Sequence, residues 1–343
     1  MSGGDVIVTI TLNAALHVTY TAGDLATAGV NPVSRPGYRA GGRGVTVARV
    51  LRAFGHDVLA AGLVGGGTGE LIREDLARSG VPTAFTLIRG ESRRFLRFAS
   101  LDPAGPVMRF AEPGPYITTE ELGRFAADYR RLMAGAAAVV LCGSLPDGLP
   151  ADTYGSLVTY AAEAGVPAIL DAGGEELKHA VGHGPDLVVA EAGPDGPSPE
   201  DLGAALLRLG AGAAAVAADG LVRAVTPAGQ WTARIHPSDP AATSPTDSPA
   251  GTADPAYPSA RADPAYRPAR GALVAGLVPG QLLGWSWPDR LRHALALAAG
   301  GAGAWTRAPG APEDRDHVDL AAYERLLDAV RVESLAPPRP ALQ

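Results

Sequence analysis

The chain has 343 residues, of which 46% are hydrophobic and 19% are charged, so it can bury a large core. Its formal net charge is −7 and it has no basic run, which argues against nucleic acid and anionic membranes as partners. No apolar stretch approaches the roughly 20 residues of a membrane-spanning helix. The single cysteine, Cys142, cannot form an internal disulfide. We therefore expect a cytoplasmic protein.

Apolar runs of strand length alternate with amphipathic stretches of helical length. Several runs are apolar throughout, as strands buried on both faces of a parallel sheet must be. This rhythm predicts an α/β fold whose sheet is doubly wound, mostly parallel and flanked by helices. The predicted strands are Val6–Leu12, Val58–Val64, Ala138–Cys142, Pro167–Asp171, Asp186–Ala190 and Ala213–Ala217, and the predicted helices are Gly44–Phe54, Glu70–Ser79, Ala272–Leu283, Asp289–Ala299, Leu320–Val330 and two that begin at Thr118 and Ser198.

Three short segments, near residues 17–22, 33–40 and 93–111, do not follow this rhythm. Their weak alternation of apolar and polar residues predicts a small β-sheet, set apart from the main one. We expect the whole chain, 1–343, to form a single domain that includes this small sheet.

Residues 237–270 differ in composition from the rest of the chain. They are rich in Pro, Ala, Ser, Thr and Asp, and the sequence ADPAYPSAR is followed at once by ADPAYRPAR. Such a segment cannot bury enough apolar area to offset the entropy lost on ordering. We predict a disordered, low-complexity insertion within a surface loop.

Four motifs in this sequence have the order and spacing of one known family. They are TLNAALH (11–17), AGGRGVTVARVLRAFGH (40–56), GSLPDGLPADTY (143–154) and DAGGEEL (171–177). The chain resembles the ribokinase/PfkB carbohydrate kinases, in the 1-phosphofructokinase branch that includes tagatose-6-phosphate kinase-like proteins. The resemblance implies a ribokinase-like fold, ATP-dependent phosphoryl transfer to a phosphorylated hexose, and ATP and Mg as cofactors. The resemblance also implies that the small sheet is a lid that closes over the sugar and, by analogy with the family, that a homodimer forms through this lid.

Part of the family's sugar-phosphate site is kept. The resemblance implies that two lid glycines let the backbone approach the sugar, and that an arginine and a serine hold its phosphate. His17 stands where the family has an aspartate that holds the sugar, and Thr46 stands where it has an asparagine. The implied substrate-binding residues are His17, Gly41, Gly42, Arg43, Thr46, Arg93 and Ser144.

The family's phosphoryl-transfer motif, GAGDAFLAGL, reads PARGALVAGL here (268–277). Gly271 replaces the aspartate that acts as general base, and a glycine has no side chain that can accept a proton. Arg270 can attract phosphate but cannot be a base. Glu191 and Gly220 lie in two further nucleotide motifs that have lost family residues. The sequence therefore predicts a weak anion site at these four positions, no catalytic residue and no metal site.

Three hypotheses about the function of this chain stay open. The leading hypothesis is a kinase-fold protein that binds a sugar phosphate and turns it over poorly. A second is an active ATP-dependent hexose-phosphate kinase whose base is unrecognised, such as Asp254 or Asp263. A third is a structural remnant that binds nothing.

Overall fold

The computed structural model describes residues 6–23, 25–26, 28–102, 105–218, 220–235, 266–305 and 320–335. These residues form two compact units. The first contains residues 6–188 and 209–211, and the second contains 189–208, 212–305 and 320–335. No helix in these ranges is long and apolar enough to cross a membrane. A single domain over 1–343 remains a prediction.

The first unit carries two sets of strands and five helices among its described residues. The strands are β1 (Val6–Thr11), β2 (Ala15–Ala22), β3 (Gly37–Gly41), β4 (Val58–Gly65), β5 (Thr83–Ile88), β6 (Arg93–Ser100), β7 (Val107–Ala111), β8 (Ala136–Cys142), β9 (Ala168–Asp171) and β10 (Leu187–Glu191). The helices are α1 (Arg43–Ala53), α2 (Gly66–Arg78), α3 (Thr119–Met133), α4 (Thr153–Glu163) and α5 (Gly174–Ala180).

A parallel sheet forms the centre of the first unit, in the order β10-β9-β8-β1-β4-β5. β10 begins here and passes into the second unit after Val188. In β8, every side chain from Ala138 to Cys142 is fully buried, as its unbroken apolar sequence requires. The predicted α/β fold with a mostly parallel sheet is confirmed.

Strands β3, β2, β6 and β7 form the separate small sheet, in that order. β3 begins at Gly37, four residues later than the predicted segment. Cross-strand pairs put His17 opposite both Arg39 and Phe95, while Tyr38 lies opposite Val18 on the other face. The predicted small sheet is confirmed, whereas its action as a lid remains a prediction.

The edge strand β3 is held to two helices by one buried carboxylate. Asp75 of α2 accepts a hydrogen bond from the backbone N–H of Ala40 at 2.6 Å and forms an ion pair with Arg49 of α1. Asp75 and Arg49 are 9% and 4% exposed. This buried charge network fixes the chain just before the glycine pair Gly41-Gly42.

Helix α3 begins with the capping box that its sequence spacing predicts. The Thr118 hydroxyl accepts from the backbone N–H of Glu121 at 3.3 Å, and the Glu121 carboxylate accepts from the N–H of Thr118 at 2.9 Å. Glu121 also accepts from the backbone N–H of Arg89 at 2.8 Å. The bonds from Arg89 and Thr118 lower the pKa of Glu121, although the residue is only 2% exposed.

The glycine-rich turn before α2 is occupied by a carboxylate of this chain. Glu91 accepts a hydrogen bond from the backbone N–H of Thr68 at 2.6 Å, in the first turn of the helix. Gly66 has φ 67°, and a Cβ there would lie 1.7 Å from a Glu91 oxygen. The turn is thus the N-terminus of α2, and the Glu91 carboxylate supplies a negative charge at the positive end of the helix dipole.

Replacing Glu91 by Gln is expected to cost about 0.3–1 kcal/mol of stability at pH 7, because the charge at the helix N-terminus is lost. Hydrogen bonding by Thr68 lowers the pKa of Glu91 in the folded state. The charged form therefore stabilises the fold above the ordinary pKa of about 4.3, and this contribution disappears as pH falls through the lowered value. Urea unfolding of both proteins at pH 7 and pH 3 measures it. Glu163→Gln, at the exposed end of α4, is the control, and an equal difference at both pH values would contradict the expectation.

The second unit contains an antiparallel meander and four helices among its described residues. Strands β11, β12, β13 and β14 pair in chain order, each antiparallel to the next. The sequence predicted β11 but missed the other three strands. The elements are β11 (Ala214–Ala218), β12 (Leu221–Thr226), β13 (Gly229–Ile235), β14 (Val330–Leu335), α6 (Pro199–Leu209), α7 (Tyr266–Leu282), α8 (Trp287–Trp305) and α9 (Leu320–Ala329).

Helix α7 begins earlier than the sequence predicts. Of the predicted insertion, 237–270, residues 237–265 lie outside the described residues. Residues Tyr266–Arg270 belong to helix α7. Pro268 is the third residue of the helix, where a backbone N–H would have no intrahelical acceptor. The proline therefore removes no helical hydrogen bond. The predicted irregular segment is therefore wrong for its last five residues.

Candidate functional site

One asparagine in the first unit brings together two of the predicted phosphate-binding residues. Asn13 follows β1, and its backbone carbonyl accepts a hydrogen bond from Arg93 Nη2 at 3.3 Å. Its side-chain Nδ2 donates to Ser144 Oγ, also at 3.3 Å. Arg93 opens β6 and Ser144 follows β8, so residues 80 and 131 positions away converge on Asn13. A guanidinium and a hydroxyl brought together in this way suit a phosphate group.

His17 lies against the glycine pair at the end of β3. A Cβ on Gly41 would lie 2.2 Å from His17 Cδ2, so only glycine leaves room for the imidazole. The next residue, Gly42, has φ 117°, a conformation that side chains disfavour. The imidazole also packs on Phe95, with ring centroids 5.3 Å apart, while His17 stays exposed. The exposed His17 imidazole thus lies over the buried Gly41 and next to the half-buried Gly42.

Arg43 is the first residue of α1 and pairs with a buried carboxylate. Its Nη1 lies 3.4 Å from Oδ1 of Asp171, whose side chain is fully buried at the end of β9. Burial lowers the pKa of the Arg43 guanidinium, but Asp171 above all raises it, and the net pKa lies above its ordinary value. The Arg43 side chain remains 19% exposed. It is therefore a permanently charged group beside Gly42.

Thr46 uses its hydroxyl proton within α1. Its Oγ1 donates to the carbonyl of Gly42 at 3.2 Å, a bond that a helical threonine commonly makes. The hydroxyl oxygen keeps its lone pairs, so Thr46 can accept a hydrogen bond from a ligand but cannot donate one without breaking this contact.

Two of the predicted anion positions of the second unit, Arg270 and Glu191, pair with each other. Arg270 donates from Nη2 to the carbonyl of Val189 at 3.1 Å, and its Nη1 lies 3.4 Å from Oε2 of Glu191. Gly220 has φ 73° and lies in the tight turn between β11 and β12. Gly271 is buried as the sixth residue of α7. The two charged members therefore neutralise each other.

The helix that carries Gly271 does not offer free backbone donors at that residue. An α-helix leaves its first four N–H groups unpaired, and in α7 these belong to residues 266–269, one of which is Pro268. The N–H groups of Arg270 and Gly271 donate to helix carbonyls four residues earlier. These two N–H groups are therefore used within the helix.

Glu191 does not fit the Mg ion that the resemblance implies. Glu191, the acidic side chain among the predicted anion residues, has the Arg270 guanidinium as its partner, and a guanidinium competes with a cation for that carboxylate. Within the described ranges, no cluster of three His, Cys, Asp or Glu side chains is arranged to hold a metal. The suggested alternative bases, Asp254 and Asp263, lie outside the described residues.

The mostly parallel sheet and the separate four-stranded sheet are those of a ribokinase-like carbohydrate kinase fold. A family model described as pfkB family carbohydrate kinase matches residues 7–192, more than half of the chain. The chain belongs to this family, as its motifs predicted.

Individual relatives support the same placement. A tagatose-6-phosphate kinase of Staphylococcus epidermidis is 36% identical over 172 residues, which are 50% of this chain and 54% of that protein. The chain thus matches about half the length of this relative. Phosphofructokinase-2 from Escherichia coli has the same fold. Its complex with fructose-6-phosphate superposes with a TM-score of 0.69 at 21% identity, covering 87% of this chain and 93% of that one. Its tetrameric inhibited form gives 0.72 at 21%, covering 94% and 99%.

Two residues that organise this site were missed by the sequence reasoning. Both lie inside the motifs TLNAALH and DAGGEEL: Asn13 lies two residues after β1, and Asp171 is the last residue of β9. Polar residues at the carboxyl ends of parallel strands are the expected place for ligand-site residues, and that signal could have identified them.

Proposed function

We propose that this chain binds a hexose phosphate in the first unit and transfers phosphoryl groups poorly or not at all. Sugar-phosphate binding is supported by the convergence of Arg93 and Ser144 on Asn13, and by the exposed His17 that lies against the glycine pair. The loss of transfer is supported by Gly271, which offers no base, and by the Arg270–Glu191 pair. Such a protein would act as a sugar-phosphate sensor or as the partner of an active relative.

Arg93→Gln is expected to weaken sugar-phosphate binding by about 10- to 100-fold, because a hydrogen bond to a charged group is lost. Arg94→Gln is the matched control. Arg94 is the next residue of β6, it points to the opposite face, and it pairs with Glu112 at 2.8 Å. The measurement is calorimetric titration with fructose 1-phosphate, fructose 6-phosphate and tagatose 6-phosphate.

The other possible results of these binding and turnover measurements each support a different function. If none of the three sugars binds the wild type, the chain is a non-binding remnant and the proposal fails. If ADP is released with one of them at ordinary kinase rates, the chain is an active hexose-phosphate kinase with an unrecognised base. Equal losses in both arginine variants would place the phosphate elsewhere.

We also propose that two copies associate through the small sheet, within the cytoplasm. The face opposite His17 presents apolar side chains to solvent, with Tyr38 42% exposed and Phe110 52% exposed. A face of this kind is typical of protein interfaces. Light scattering of the wild type and of Phe110→Ser tests it: a dimer that dissociates in the variant supports the interface, and a monomeric wild type rejects it.

A further inference from the structure

We propose that Asn13 is a positioning residue that turns Ser144 into a hydrogen-bond donor and thereby makes the site selective for an anionic acceptor, such as a phosphate monoester. This inference rests on the proposed sugar-phosphate binding and assigns a role to a residue outside the predicted substrate-binding set. It follows from the direction of one hydrogen bond and from the burial of the amide that makes it.

The Asn13 side chain is held in a tightly enclosed position. Asn13 is only 9% exposed, and its Oδ1 has no hydrogen-bond partner among the described residues. A Cβ on Gly114 would lie 2.7 Å from Oδ1, so the absence of a side chain at Gly114 makes room for the amide. With Oδ1 directed to Gly114, Nδ2 is directed to Ser144.

The direction of the Asn13–Ser144 bond decides what Ser144 can offer a ligand. A serine hydroxyl has one proton and two lone pairs. The amide N–H of Asn13 can only donate, so it takes a lone pair of Ser144 Oγ. No described acceptor takes the Ser144 proton, and the residue is exposed. Ser144 is therefore free to donate its proton outward, to an acceptor in the site.

Phosphate oxygens match this arrangement better than sugar hydroxyls do. A phosphate dianion offers acceptors alone, and hydrogen bonds to such charged oxygens are the stronger ones. Asn13 also receives Arg93 on its backbone carbonyl, so one residue aligns a cation and a hydroxyl donor toward the same region. The backbone contact survives substitution of the Asn13 side chain, which separates the two roles experimentally.

A double-mutant cycle between Asn13→Ala and Ser144→Ala tests the inference. The ligand is whichever of the three hexose phosphates binds the wild type most tightly, and the measurement is calorimetry. Each single variant is expected to lose about 10- to 100-fold in affinity, the range for a hydrogen bond to a charged group. In the Ser144→Ala background, Asn13→Ala is expected to change affinity by less than about twofold, because the residue acts through that hydroxyl.

Asn13→Asp provides the second, isosteric test. An aspartate can only accept, so it would take the Ser144 proton and place a negative charge in the site. We expect it to lose more affinity than Asn13→Ala, while the melting temperature of each variant monitors folding. It also serves as the test if Asn13→Ala does not fold.

Three results would overturn the inference. Losses that multiply in the double mutant would show that Asn13 does not act through Ser144. Retained affinity in Asn13→Asp would show that the amide accepts from Ser144 rather than donating to it. Unchanged affinity in Asn13→Ala would remove the role altogether. In all three cases the wild type still binds, whereas a wild type that binds no hexose phosphate refutes the proposed function itself.

Discussion

Replacing Asp75 by Asn is expected to lower the free energy of unfolding by about 3–5 kcal/mol, the range for breaking a buried ion pair by removing one partner. The Asp75 carboxylate balances the charge of Arg49 and accepts from the backbone N–H of Ala40. The amide of Asn has no charge, so a guanidinium that is 4% exposed would lose its counter-charge. One carboxylate here joins α1, α2 and β3, which makes this a large effect for an isosteric change.

Urea unfolding followed by circular dichroism measures this loss, and Glu70→Gln provides the matched control. Glu70 lies on the same helix and pairs with Arg73 at 2.7 Å, but both side chains are largely in solvent. Exposed pairs contribute about 0–1 kcal/mol. If the two variants lose similar amounts, burial of the Asp75 pair contributes no additional stability.

Turnover by the intact chain is expected at about 10⁻⁷–10⁻² s⁻¹, against about 1–100 s⁻¹ for ordinary kinases. Loss of a general base costs about 10²–10⁴-fold, and loss of a stabilising donor costs about 10²–10³-fold. Gly271 supplies no base, and the N–H groups of Arg270 and Gly271 are used within α7.

Gly271→Asp alone is expected to stay within about tenfold of the wild type, because groups that act as a unit are not rescued one at a time. The helix would still begin at Tyr266, and the Arg270–Glu191 pair would still be formed. Coupled ADP release with the three hexose phosphates measures this, and Gly271→Asn controls for the added side chain. Because Gly271 is buried, the melting temperature of both variants must be followed. Turnover near 1 s⁻¹ in Gly271→Asp, but not in Gly271→Asn, would show that the other departures are harmless.

The parallel sheet was predictable because its strands are apolar throughout, as in Ala138–Cys142, and because helical patterns separate them. The capping box was equally predictable, because its two residues, Thr118 and Glu121, are three positions apart in the sequence. In contrast, β12 to β14 carry mixed polar and apolar residues. Short turns join β12 to β11 and to β13, whereas β14 pairs with a strand that is distant in sequence. The early start of α7 was missed because residues 266–270 continue a repeat whose composition suggested irregular chain.

Arg93 and Ser144 were proposed from the family resemblance, and their phosphate-binding role stays a prediction. Asn13, Asp171 and the pairing of Arg270 with Glu191 were not predicted, because each depends on contacts between segments far apart in the chain. A motif gives the identity of a residue, whereas the partner that orients it is known only once the chain has folded.

The anchoring of β3 by Asp75 makes the small sheet mechanically asymmetric. One edge, β3, is tied to α1 and α2 through a buried charge, whereas the other edge, β7, has all five residues exposed. If this sheet bends, we therefore expect the displacement to be smallest at β3 and largest at β7. The glycine pair and His17 lie near the fixed edge, so we expect them to move less than the strand at the opposite edge.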